Sequence, residues 1–261
     1  MYNKKYTDIN SKTIDSWVDN GWIWSIPISH QEYVIARDGI WDEAPNIVLT
    51  PTKKVPLEWY SPFLMNNRLD GVKLLGLASA GGQQMPIFVA IGAECTVLDY
   101  SEKQLANEIL VSEREGYLIE TVKADMTNTF PFDDNTFDII FHPVSNCYIE
   151  DVMHVWKECY RILKRGGILL AGMDNGINFL AEDDNPLLVV NKLPYNPLKD
   201  ENLYRKSVDN NWGIQFSHTI EEQVGYQLKA GFTLLDLYED TDNTDIGVYI
   251  PNFIATKAIK P

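Results

Sequence analysis

Val72-Lys73-Leu74-Leu75-Gly76-Leu77-Ala78-Ser79-Ala80-Gly81-Gly82 is the most informative stretch of the chain. Its first half is a short apolar run, as expected of a parallel strand buried on both faces. Its second half is a turn of small residues, through which a strand can pass into a helix while a ligand approaches the backbone. The spacing predicts a helix over 83–91, stopped by Gly92. Cys95–Leu98 then reads as a second strand ending at Asp99, and Ser101-x-x-Gln104 as a capping box opening a helix to about Glu115. Leu118–Lys123 is a third strand ending at Asp125, and Phe137–Phe141 a fourth. Asp151 caps a helix with apolar residues at 152, 155, 156, 159, 162 and 163, which Gly166-Gly167 should end; Ile168–Ala171 is a fifth strand. A polar, loop-rich stretch follows at about 174–218. Thr219-Ile220-Glu221-Glu222 then caps a last helix ending at Gly231, and Phe232–Tyr238 and Phe253–Ala258 complete seven strands. Alternating strands and helices imply an α/β fold, a doubly wound, mostly parallel seven-stranded sheet with helices on both faces.

Upstream of Val72 the character changes. Residues 1–70 hold five of the seven tryptophans (Trp17, Trp22, Trp24, Trp41, Trp59) and prolines at 27, 45, 51, 56 and 62. With no periodic run long enough for its own core, this segment is expected as irregular chain draped over the strand ends, a lid or extension on a domain spanning 71–261. On that reading Trp59 and its neighbours would report ligand binding by fluorescence.

Composition narrows the function classes. The chain has 261 residues, 45% of them hydrophobic, and a net charge of −15 spread along its whole length. That excludes a disordered chain and offers no basic footprint for nucleic acid. No stretch approaches the roughly 20 apolar residues of a membrane span, and Met1–Asp8 has no apolar run behind its lysines, so a cytoplasmic protein is expected. Cys95, Cys147 and Cys159 form no CxxC, so reduced buried thiols rather than disulfides or a metal site are expected.

In such sheets ligands bind at the carboxyl ends of the strands. Strand two ends in Asp99, whose two acceptor oxygens suit a ribose diol, and strand three in Asp125, which can accept from an exocyclic amine. Together with the small-residue turn these read as an adenosine site. The turn fits G-x-G-x-x-G poorly and no Walker pattern occurs, so a nucleoside fits better than a dinucleotide or triphosphate.

At this point Val72 to about Ala171 resembles the class I S-adenosylmethionine-dependent methyltransferases, particularly the small-molecule type 11 group. The family's first motif, [D/E]-x-G-x-G-x-G, falls on Gly76, Ala78, Ala80 and Gly82, so its acid and two glycines are replaced. Alanines at 78 and 80 would require negative φ there. Ser79 or Gln83 would have to replace the acid's contact to the amino-acid end of the cofactor. Leu98-Asp99-Tyr100-Ser101 resembles the ribose motif, Ala124-Asp125-Met126 the adenine-binding pair, and Arg161–Gly167 the RxLKPGG turn. The resemblance implies S-adenosylmethionine as cofactor, held by Ala78, Ser79, Ala80, Gly82, Gln83, Asp99, Tyr100, Asp125, Met126 and Pro143. Leu77–Gln84 and His142–Asn146 resemble a bacterial branch of the family from which no substrate carries over.

The implied activity is methyl transfer to a small-molecule acceptor by in-line displacement. Histidine titrates near neutrality, so His142, just after strand four, is the candidate base; alternatively it makes a structural hydrogen bond. The tryptophans are either an acceptor slot or anchors, and the acidic run Glu182-Asp183-Asp184 either a solvated loop or a wall for a cationic acceptor. A non-catalytic S-adenosylmethionine- or adenosine-binding protein and a nucleotide-dependent oxidoreductase are the competing readings.

Overall fold

The computed structural model describes residues 5–41, 47–181, 188–243 and 245–261, so Pro45 and the acidic run 182–184 lie outside the described residues. Its seven strands, β1 (Lys73–Leu77), β2 (Glu94–Asp99), β3 (Glu120–Lys123), β4 (Phe137–His142), β5 (Leu163–Asp174), β6 (Thr233–Asp240) and β7 (Phe253–Ile259), form one sheet in the order β3-β2-β1-β4-β5-β7-β6. Neighbours are parallel from β3 to β5, and β7 is antiparallel to both β5 and β6. The strand order reverses between β1 and β4, which places the switch point above the small-residue turn.

Strand alternation sorts the core into two layers. Leu74, Val97, Ile139 and Leu170 face one side; Leu75, Leu98, Ile140 and Leu169 face the other. The second layer is covered by α5 (Val152–Ile162) and α7 (Tyr226–Ala230). The first is covered by α2 (His30–Ile35), α3 (Met85–Ala90), α4 (Glu102–Glu115) and the irregular chain around Leu49, Trp59 and Tyr60. Gly172 permits that last packing: a β-carbon there would stand 1.9 Å from the Leu49 carbonyl oxygen. Trp41 and Trp59 are therefore fully buried anchors; Trp59 Nε1 donates to Asp236 at 2.9 Å, and its ring lies against Tyr238. The fluorescence expectation placed on Trp59 is corrected accordingly.

Several local expectations change. The helix after the turn is only α3, because 78–84 is occupied by the loop itself. Gly166-Gly167 lies inside β5, since the chain turns extended at Leu163, directly after α5. Ser101 caps α4, but only half the box forms: Ser101 Oγ accepts from Gln104 N, while the Gln104 side chain points elsewhere. Thr219 and Glu222 make both limbs of theirs.

Helices α1 (Tyr6–Asp19), α2 and α6 (Glu201–Asp209) lie where irregular chain was expected. α1 buries Thr7, Asn10 and Thr13, polar positions that interrupt its hydrophobic periodicity. Hydrogen bonds dock it beside the packing of Tyr6 and Ile9 on Ile214 and Phe216: Asn10 takes the Ile214 amide and donates to the Ile214 carbonyl, and Thr7 donates to Asp125. α6 falls in the 174–218 stretch; its cap, Asp200, accepts from the amides of Asn202 and Leu203. No helix among the described residues is long and apolar enough to cross a membrane. The three cysteines are buried free thiols.

Candidate active site

A cavity of about 540 Å³ lies over the carboxyl ends of β1, β2, β4 and β5. That is within the range of small-molecule and cofactor sites. Ala78, Ala80, Asp99, Tyr100, Asp125, Met126 and Pro143 border it, so the first three strand ends converge as the sequence motifs suggest. Trp17, Trp22 and Trp24 wall it from above, and Asp174, Tyr195 and Trp212 close its far side.

The β1 turn is built in an unexpected way. Ala78 and Ala80 have φ of 47° and 65°, so the required negative φ is not met; both stand in the left-handed region at a cost of roughly 1–2 kcal/mol each. Gly76 cannot carry the family's acid, because a β-carbon would stand 2.4 Å from Ser79 Oγ and 2.6 Å from Met85 Sδ. Those side chains occupy the space that the acid would need. Ser79 is consequently buried beneath the turn and does not border the cavity. Gln83 is turned away too: its amide donates to the carbonyls of Ile23 and Ile26, both at 2.8 Å. Gly82 has φ 73°, and a β-carbon there would stand 2.9 Å from the Asn107 carbonyl, so this position is reserved for helix packing.

Asp99 is 9% exposed, and one of its oxygens accepts the Ser101 amide at 2.8 Å. Burial pushes its carboxyl up to about 6, against the pull of the Ser101 and Tyr100 amides. The Tyr100 hydroxyl donates to Asp8 at 2.6 Å, and that carboxylate pushes the phenol up to about 12. Asp125 is fully engaged: it accepts from Lys5, Thr7, and both the amide and hydroxyl of Thr127. Burial would raise its carboxyl, but Lys5 and the threonine donors prevail and hold it below the usual range. The adenine partner of the sequence reading thus also fastens α1 over the cavity.

His142 lies outside the cavity lining. Its Nδ1 donates to the Leu77 carbonyl at 2.8 Å and Nε2 stands 2.9 Å from the Asn146 side chain, so it ties β1 to the loop after β4. Burial lowers its basicity further. The structure shows the hydrogen bonds of the alternative reading and sets His142 back from the cavity.

Sequence reasoning missed the carboxylate that does border the far side. Asp174 ends β5 as Asp99 ends β2; the signal was the same, but the strand runs three residues past Ala171. Asp174 accepts from the Gly176 amide and from Asn178 Nδ2, and burial pushes it up to about 7. Trp212 had no signal, since only the docking of 203–215 against α1 brings it in.

The residues on the β1–β2 side fit an S-adenosyl nucleoside. Asp99 offers a carboxylate for hydroxyl donors and Met126 an apolar face. Comparisons with known proteins agree. A methyltransferase domain family matches residues 75–171. The "Uncharacterized methyltransferase YbaJ" of Bacillus subtilis is 40% identical over 257 residues, covering 96% of this chain and 97% of its own. "Sterol methyltransferase-like 3" of Botryococcus braunii is 31% identical over 113 residues, 42% of this chain and 28% of its own. An S-adenosylmethionine-dependent methyltransferase from Mesorhizobium loti shares the fold, with a TM-score of 0.56 at 19% identity over 76% of this chain and 93% of its own.

Proposed function

Because this chain belongs to the S-adenosylmethionine-dependent methyltransferases, we infer that its cavity holds S-adenosylmethionine over β1 and β2 and a small-molecule acceptor over β4 and β5. The observation that carries this reading is the continuity of one cavity from Asp99 to Asp174 beneath α1 and the 203–215 segment. An acceptor must fit inside it, which favours a small molecule over a macromolecule. Bound cofactor supplies a sulfonium methyl for in-line displacement; the chain's own contribution is alignment and exclusion of water.

Each residue then has a role. Asp99 takes the ribose hydroxyls, and Met126 and Tyr100 flank the base. Asp125 accepts the adenine amine only by yielding one of its α1 donors, so cofactor entry and the seating of α1 are linked. Residues 1–70 act as the cover: α1 and Trp17, Trp22 and Trp24 shield the reacting atoms, while Trp41 and Trp59 anchor the segment to the sheet. Aromatic walls at Trp212 and Tyr195 suit an apolar or aromatic acceptor. Asp174 receives the acceptor's proton if the methylated atom is a hydroxyl or amine.

Transfer of labelled methyl from S-adenosylmethionine to a metabolite library tests the reading. Stabilisation by S-adenosylhomocysteine with no turnover on any acceptor would favour a non-catalytic binder. Stabilisation by NAD and not by S-adenosylhomocysteine would defeat the cofactor assignment.

A further inference from the structure

Both ring nitrogens of His142 face oxygen. Nδ1 stands 2.8 Å from the Leu77 carbonyl and Nε2 stands 2.9 Å from Asn146 Oδ1; the ring is fully buried, edge-on to Trp156 of α5. The contacts continue beyond it. Asn146 Nδ2 donates to Gln223 Oε1 at 2.9 Å, and Gln223 Nε2 donates to the Asp174 carbonyl at 3.4 Å. Asn146 and Gln223 are buried as well, so each group depends on the next. Gln223 lies in a π-helical turn, Glu221–Gly225, ahead of α7, an irregularity that recurs at functional sites. One row thus runs from the end of β1 to the end of β5.

The row has a direction. A main-chain carbonyl only accepts, so Nδ1 carries hydrogen whether the ring is charged or neutral. In the charged ring Nε2 carries hydrogen too, and every contact in the row then sets a donor against an acceptor. A neutral ring instead has a lone pair at Nε2, which needs a donor. Asn146 must then turn its amide nitrogen to His142 and its oxygen to Gln223. Gln223 answers by turning its own nitrogen to Asn146, which sets Gln223 Oε1 against the Asp174 carbonyl, oxygen to oxygen. A single proton at His142 therefore decides what meets the Asp174 peptide.

No charged side chain among the described residues acts on His142; burial holds its titration below the ordinary 6.5, against the pull of the Leu77 carbonyl and Asn146. Three other titratable groups adjoin the row. His218 places Nε2 3.1 Å from the Asn146 carbonyl and is faced by Glu222 and Asp151. Cys147 is a buried thiol, and Asp174 is faced by Asp242.

We propose that His142, Asn146 and Gln223 are positioning residues that link the end of β1 to Asp174, with the direction of the row set by the charge of His142. None of the three borders the cavity, so they act through the Asp174 peptide. Their bearing on transfer rests on the reading above that Asp174 meets the acceptor; the row itself does not.

Nuclear magnetic resonance of the full chain, with 15N in histidine and 13C in the aspartate carboxyl groups, reads both ends without a ligand. His142→Gln and Asp174→Asn identify the two signals by their loss. As pH falls from 8 to 5, His142 Nδ1 should carry hydrogen throughout, and Nε2 should gain one below 6.5. The Asp174 carboxyl carbon should show its own titration at about 7 and a smaller second step at the His142 midpoint. Gln223→Leu and Gln223→Met should both remove that second step and leave the His142 titration in place. Asn146→Asp sets a carboxylate against Nε2 and should raise the His142 midpoint by about one pH unit or more. A histidine that only packs would show none of this coupling. A lone pair found at Nδ1, a wild type without the second step, or a step that survives both Gln223 variants overturns the proposal. Full methyl transfer by Asp174→Asn, with the spectra as expected, overturns the acceptor reading and the positioning role with it while the row stands.

Discussion

Replacing Glu108 by Gln should stabilise this protein, and by an amount that depends on pH. Glu108 lies on the buried stripe of α4 with Gln104, Leu105, Val111 and Ser112 and is fully buried. The Gly82 amide approaches its carboxyl, but neither oxygen is within hydrogen-bonding geometry of a donor among the described residues. Burial, with a smaller push from Asp99, raises its pKa from the ordinary 4.5 to about 8. The folded state therefore holds a proton that the unfolded state releases, and stability falls as pH rises from 4.5 to 8. Each pH step in that window costs about 1.4 kcal/mol, giving about 3 kcal/mol at pH 7 and about 5 above pH 8. Glutamine keeps the shape of the neutral acid and titrates nowhere. Glu108→Gln and wild type should thus unfold together near pH 4.5 and diverge above it. At pH 7 the variant's gain corresponds to roughly 6–12 °C in Tm. Asp99 and Asp174, also raised by burial, slope both proteins alike and leave the difference to Glu108. Urea melts at pH 5, 7 and 8.5 measure it. A difference that stays constant across pH, or a variant less stable at pH 8.5, would refute the reasoning.

Three further outcomes follow from the site. Gly76→Asp, which restores the family's acid, should destabilise by about 3 kcal/mol or more through overpacking against Ser79 and Met85 and burial of a carboxylate, read as a fall in Tm; an unchanged melt would mean that the space is open. On the proposed reading Asp99 takes the ribose hydroxyls as the carboxylate, so S-adenosylhomocysteine affinity should fall as pH drops through about 6, and Asp99→Ala should cost at least about tenfold at pH 7.5 and flatten that profile. Trp17, Trp22 and Trp24 border the cavity while Trp59 is sealed against Tyr238; Trp22→Phe should therefore shrink the emission change on adding S-adenosylhomocysteine, and Trp59→Phe should leave it intact.

The sheet was legible because its evidence is local. Each strand of the parallel region announces itself within five or six residues, and Asp99 and Asp125 follow directly from where β2 and β3 stop. Leu74 and Leu75 belong to opposite layers by pleat alone. Asp174 was readable by the same rule and was missed only through a strand end placed three residues early. α1 was hidden for a different reason: its most buried residues are Thr7, Asn10 and Thr13, docked by hydrogen bonds, and these polar positions interrupt the apolar face to which Tyr6 and Ile9 belong.

What the sequence by itself determined is the succession of strands and helices along the chain, the fold class and the place of Asp99 at the end of β2, since each depends on neighbours in the chain. What only the tertiary structure decided is which side chains face the cavity. His142 and Gln83 sit beside the right turns, yet the Leu77 carbonyl and the Ile23 and Ile26 carbonyls claim them. Gln84, Gln104, Trp17 and Trp212 come together from segments up to 195 residues apart, as the Trp17 Nε1 bond to the Asn211 carbonyl at a separation of 194 illustrates. Hydrophobic period and turn chemistry act over one element, whereas a polar side chain's role is set by the nearest competing donor or acceptor in space. That competitor is chosen when the chain packs.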